Sequence, residues 1–177
     1  MLVDVRSRSI SIRVRVFRER GALLSRLAHD VELRLARFEV VESENSVRVE
    51  FEPDALVVEG ALTNGVVDPS TLSAADRSEI ERNLRQALKT DVYPQGSFIG
   101  TFQQKDDVVL VEGSLTLLGE QRDVTWTLTR RGDQFVGNLA LEPSRWGIAP
   151  YRALLGALKL QDRVEVLMEV AALSSQS

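Results

Sequence analysis

The chain has 177 residues, 44% of them hydrophobic and 27% charged, with a formal net charge of −4; this ordinary globular composition supports a core of its own and excludes both disorder and a generally basic, nucleic-acid-binding surface. Cysteine is absent, which excludes disulfides, thiolate nucleophiles and cysteine-based zinc or iron–sulfur sites. No apolar run approaches the ~18 residues of a membrane span, and the stretch from Met1 to Arg6 lacks the features of a secretory signal, so a cytoplasmic protein without an integral span is expected unless a leader has been removed.

Period-two alternation, the mark of a half-buried strand, recurs along the chain. Ile10, Ile12, Val14 and Val16 form the first run, and Arg13 and Arg15 share its other face, which is expected to be solvated. These belong to an arginine-rich beginning: residues 1–40 hold nine arginines against five acids, a local balance of +4 that leaves −8 for the rest. Residues 22–27 predict a turn or two of helix. Alternation resumes at Val31, Leu33 and Leu35, then at Val47, Val49 and Phe51, and then at Leu56, Val58, Gly60 and Leu62. Polar or Pro/Asp breaks at Ser43–Ser46 and Pro53-Asp54 separate these runs as turns.

Residues 73–88 carry the one long helical signal. Ser73 is a candidate N-cap, Asp76 lies in the first turn where the helix dipole favours an acid, and Ile80, Leu84 and Leu88 form an apolar stripe. Four more strands follow, through Phe98–Phe102, Val109–Leu117, Val124–Leu128 and Phe135–Leu141, with turns at Lys105–Asp107 and Arg131–Asp133. Residues 150–156 read as a short helix closed by Gly156, and Val164, Val166, Met168 and Val170 mark the last strand. About nine strands joined by short turns predict a mainly β, antiparallel fold, and glycines read as inward at positions 60, 100, 113 and 137 predict sharp bends or close approaches that help the sheet curl into a barrel. With no repeat and no linker, residues 1–177 read as a single domain.

Catalytic machinery is sparse. His29 is the only histidine, which excludes a multi-histidine metal site, and Asp30 beside it points to the opposite strand face and cannot orient the ring. Three roles fit His29: a structural histidine at a strand start, a polar anchor at a ligand mouth, or a lone general base. No nucleophile elbow, phosphate loop or dinucleotide fingerprint occurs. The acidic clusters fall at turns or on polar faces, and the aromatic residues do not interleave with basic ones as a nucleic-acid platform requires. Many inward positions carry Val, Leu, Ala or Gly, which leaves room for an apolar guest.

Ala28-His29-Asp30 at the second strand, Asp76-Arg77 opening the helix, Tyr93-Pro94 before the Phe98 strand, Gly113-Ser114-Leu115-Thr116-Leu117-Leu118-Gly119, and Pro143-Ser144-Arg145-Trp146-Gly147-Ile148 ahead of Gln161-Asp162 and the closing strand form an ordered series. Taken together, these segments resemble the YceI-like family. The resemblance spans roughly residues 8–172. It departs from the family at Glu120-Gln121-Arg122, where Val-Thr-Lys is usual, at Trp146, where Phe or Tyr is commoner, and at Arg145, where an acid is frequent. The resemblance implies a lipocalin-like β-barrel that binds polyisoprenoid or related amphiphilic lipids, and it favours a homodimer.

The expected function is therefore non-catalytic: a barrel that binds or carries an isoprenoid, quinone-like or fatty-acyl molecule, with no cofactor, metal or nucleic-acid partner. Leu33, Leu35, Val58, Phe98, Phe102, Leu115, Trp126, Phe135, Leu139 and Met168 are the expected wall, and Trp146 and His29 complete the candidate ligand-binding set. The competing expectation is a solidly packed barrel that docks a partner through its surface, either by the outer arginine face with Arg13 and Arg15 or by the helical stripe.

Overall fold

The computed structural model describes residues 9–19, 29–153 and 158–171, so the helix expected over residues 22–27 lies outside the described residues. Among the described residues, twelve strands form one antiparallel sheet. In chain order they are β1 (Ile10–Arg18), β2 (Asp30–Leu35), β3 (Phe38–Ser43), β4 (Ser46–Phe51), β5 (Leu56–Thr63), β6 (Val66–Asp68), then helix α1 (Ala74–Ala87), β7 (Gly96–Lys105), β8 (Val108–Leu117), β9 (Glu120–Arg131), β10 (Gln134–Leu141), β11 (Arg152–Ala153) and β12 (Leu158–Ala171).

The ladders run β3-β4-β7-β8-β9-β10-β12-β1-β2-β5-β6, with β11 paired to β12. The chain itself completes the circuit, because β2 passes into β3 through only Ala36 and Arg37. Ala36 and Ala55, then Glu52 and Arg37, keep main-chain hydrogen bonds of 2.9 and 3.2 Å across that kink, so β2–β3 and β4–β5 act as two long, bent strands. The Pro53-Asp54 break is thus a single 3-10 turn inside a strand rather than a hairpin. With these joined, the wall is an antiparallel barrel.

Alternation accounts for most of the elements because each strand turns apolar residues inward and polar ones outward. The strands not anticipated are the ones that lack this pattern: Val40-Val41 interrupts the alternation of β3, and β6 and β11 are only three and two residues long. The short helix expected at 150–156 is corrected over its described part by β11, whose Arg152 and Ala153 pair with Lys159 and Leu158, while residues 154–156 lie outside the described residues. There the helical propensity gives way to strand pairing that satisfies main-chain groups on the end of β12.

Helix α1 begins and runs as its sequence predicts. Ser73 caps it in a reciprocal capping box with Asp76. Hydrogen bonds from the Ser73 side chain and main chain hold the Asp76 carboxyl below the usual aspartate range. The helix packs Ile80 and Leu84 on Val31, Leu33 and Val58. It also serves as a substitute strand. Where β5 has no strand on its second edge, Glu81 accepts a hydrogen bond from the Val58 N–H at 3.1 Å, and the Arg77 guanidinium donates to the Val58 carbonyl at 2.8 Å and to the Pro69 carbonyl. Polar main-chain groups that a neighbouring strand would have paired are satisfied by two helical side chains.

Candidate functional site: the barrel interior

Cross-strand partners share a face, so the registers define the inner wall. Val49 pairs Phe98, Phe98 pairs Leu115, Val111 pairs Trp126, Leu139 pairs Val166, Met168 pairs Ile12, and Leu33 pairs both Val14 and Val58. Leu35, Phe102 and Phe135 fall on the same face. Ten of the twelve candidate residues therefore line one interior: Leu33, Leu35, Val58, Phe98, Phe102, Leu115, Trp126, Phe135, Leu139 and Met168.

The other two lie at the end of the barrel that receives the long connections. Trp146 is 1% exposed in the 3-10 turn Pro143–Trp146, and its Nε1 donates to the Leu115 carbonyl at 2.9 Å. It closes the wall beneath β8 and β9. Gly147, at φ 74°, ends that turn in the left-handed conformation that glycine adopts without penalty. His29 is exposed at the start of β2, and its charge adds to the groups that lower the Asp76 carboxyl after the two Ser73 hydrogen bonds. It sits on the rim beside the start of α1. Across the same end, Asn83 of α1 donates to the Tyr151 hydroxyl at 3.1 Å, tying the helix to the segment after Trp146. Neither residue stood out in the sequence, since each is an ordinary polar residue until the fold brings the two together.

Two features describe what the interior can hold. First, its apolar residues form two clusters, one around Phe98, Val111, Val124 and Trp146 and the other around Val31, Leu33 and Val58. Second, Phe102, Trp126, Leu128, Leu139, Val166 and Met168 are only half-buried although they face away from the outer solvent. These six inner-face side chains are partly open to solvent, so space remains beside them, whereas Leu33, Val58, Phe98, Val111 and Leu115 are buried. Charge on this face stands at the ends: Arg122 is paired with Glu120 at 3.0 Å, and Arg130 lies 5.9 Å over the Phe135 ring.

The glycines do not supply this space. The Phe98 ring lies over Gly100 and Gly113, where an added Cβ would come within 2.6 Å of it, and Leu128 covers Gly137 at 2.4 Å. Gly60 is opposite Glu32 on the outer face, where an added Cβ would stand 2.6 Å from the Asp68 carbonyl oxygen; its inward reading is corrected by the bulge between Glu32 and Leu33. The outer arginines differ from expectation too. Arg15 binds Glu32 at 2.7 Å, and Arg13 binds Glu32 and Glu169, so they are neutralised within the wall rather than simply solvated.

Among the described residues no group of His, Asp and Glu has the arrangement to hold a metal ion, and no helix is long and apolar enough to cross a membrane.

An antiparallel barrel with a helix set into its wall and an apolar, solvent-reached interior is the lipocalin-like class of fold. The chain belongs to the YceI-like family: the model of the YceI-like domain matches residues 35–172. Among solved structures, BcnA of Burkholderia cenocepacia is similar with a TM-score of 0.63 and 13% identity, over 92% of this chain and 96% of that one. The YceI protein of Campylobacter jejuni matches with a TM-score of 0.45 and 13% identity, over 75% of this chain and 81% of its own. No curated protein is detectably similar in sequence.

Proposed function

We propose that this chain binds or carries an apolar or amphiphilic lipid, of isoprenoid, quinone-like or fatty-acyl type, inside the barrel, without catalysing a reaction. The observation that supports the reading is the inner wall itself: apolar along its long strands, with charge at the ends, and partly open to solvent at Phe102, Trp126, Leu139 and Met168. Hydrocarbon entering such a space gains roughly 0.8 kcal/mol per buried CH₂ before the costs of association, so a long chain needs no catalytic or charged residue to be held. Membership of the YceI-like family supports the same reading. Two observations weigh against the competing surfaces: Arg13 and Arg15 are committed to Glu32 and Glu169, and Ile80 and Leu84 of the helical stripe are packed on the barrel.

Native mass spectrometry of the purified protein, followed by solvent extraction, tests this. The expected result is a stoichiometric apolar guest, either retained on purification or taken up from an isoprenoid and fatty-acid mixture. A mass that stays at the bare chain after such incubation overturns it. The same spectra read the homodimer that forms part of the proposal, and fractionation of source cells reads its cytoplasmic location.

A further inference from the structure

The two tryptophans differ in one respect. Trp146 Nε1 has its acceptor, the Leu115 carbonyl. Trp126 Nε1 is sealed from water and has no hydrogen-bond partner among the described residues. Native interiors rarely keep a buried N–H without an acceptor, and the exceptions call for an explanation. The main chain around Trp126 offers little, since carbonyls within a strand are engaged in the ladder. The ring packed on it is Phe98, in an edge-to-face contact with centroids 4.9 Å apart; an aromatic face is at best a weak acceptor. Yet the Trp126 side chain as a whole is half-buried and belongs to the inner wall, opposite Val111. The indole therefore belongs to the wall a guest would meet, with its N–H covered by neighbouring groups.

We infer that Trp126 is a specificity-determining residue whose Nε1–H donates to an oxygen of the guest, so that the interior selects an amphiphile with a carbonyl or other accepting oxygen over a plain hydrocarbon. This rests on the reading of the interior as a lipid site. Because the N–H is covered, the bond forms as the guest displaces a neighbouring side chain, and the guest's oxygen lies among apolar groups rather than at a polar rim. An apolar surround strengthens such a bond and makes its loss costly.

A matched pair of probes tests it: a long-chain methyl ketone and the n-alkane of equal length, each competed against a polarity-sensitive fluorescent probe. In Trp126→Phe the ketone should lose about five- to tenfold more affinity than the alkane loses, the size of one hydrogen bond, since the change in ring packing is common to both. The indole N–H resonances of the unaltered protein supply a second measurement that requires no variant. The ketone should move the Trp126 signal downfield, the alkane should not, and the Trp146 signal should stay in place. Equal weakening of both ligands in the variant, or a Trp126 resonance unmoved by bound ketone, overturns the donor role and leaves the lipid site standing. Failure of both ligands to bind the unaltered protein overturns the site and the donor role together.

Discussion

Glu32 points to the outside of β2, yet it is only 2% exposed, because Arg13 and Arg15 of β1 lie against it on one side and Gly60 on β5 stands opposite it on the other. A charge so enclosed is tolerated when its partners satisfy it, and removing the anion leaves two guanidinium groups facing each other. Glu32→Ala is therefore expected to lose about 2–3 kcal/mol of stability, less than the roughly 3–5 kcal/mol of a fully buried pair because both arginines keep contact with water. Urea denaturation measures this. The sequence displays Arg13 and Arg15 on one strand face, and that much was legible; that Glu32 lies between them depends on the register of β1 with β2, which no local pattern encodes. Trp126 is similar. Its inward position follows from alternation, but its lack of an acceptor follows only from what surrounds it.

At the level of elements, α1 shows how a helix can complete a β wall. The cap, the stripe and the length were all readable from residues 73–88, since they are local properties of the segment. Its place in the wall was not. Arg77 is one residue of an Asp-Arg pair in sequence, and only the packing of α1 along β5 shows it donating to the carbonyls of Val58, Glu59 and Pro69. Arg77→Ala should lose about 2–3 kcal/mol, since charge-assisted bonds are the stronger kind and several main-chain acceptors lose their partner. Arg77→Lys should not restore it, because one ammonium cannot reproduce the planar fork. Hydrogen exchange gives the corresponding local readout: amides of β5 and α1 should exchange faster in Arg77→Ala, with those of β8 and β9 little changed.

For the whole molecule, closure is the central fact. The wall closes because two long strands bend at Ala36-Arg37 and Pro53–Ala55, and Trp146 seals one end from beneath β8 and β9. Trp146→Ala removes a side chain that is 1% exposed. It is expected to lose about 3–5 kcal/mol, as large-to-small changes of buried aromatics do. If the interior is the binding site, the same variant should release a bound lipid faster, which stopped-flow transfer to vesicles reports.

The sequence by itself determined the strand-rich class, the inward faces of most strands, the turns at Lys105–Asp107 and Arg131–Asp133, and the helix with its cap. These depend on periodicity and on residues with strong local preferences, and such signals act over a few neighbours. Only the tertiary structure decided that Arg152 and Ala153 pair as a strand rather than form a helix, that β3 exists despite Val40-Val41, that Gly100, Gly113 and Gly137 are covered by Phe98 and Leu128, and that Arg13 and Arg15 are occupied. Each of these is settled by a partner distant in the chain, through main-chain pairing, close packing or charge neutralisation. Local pattern sets which face of a strand is apolar; the fold sets what that face meets.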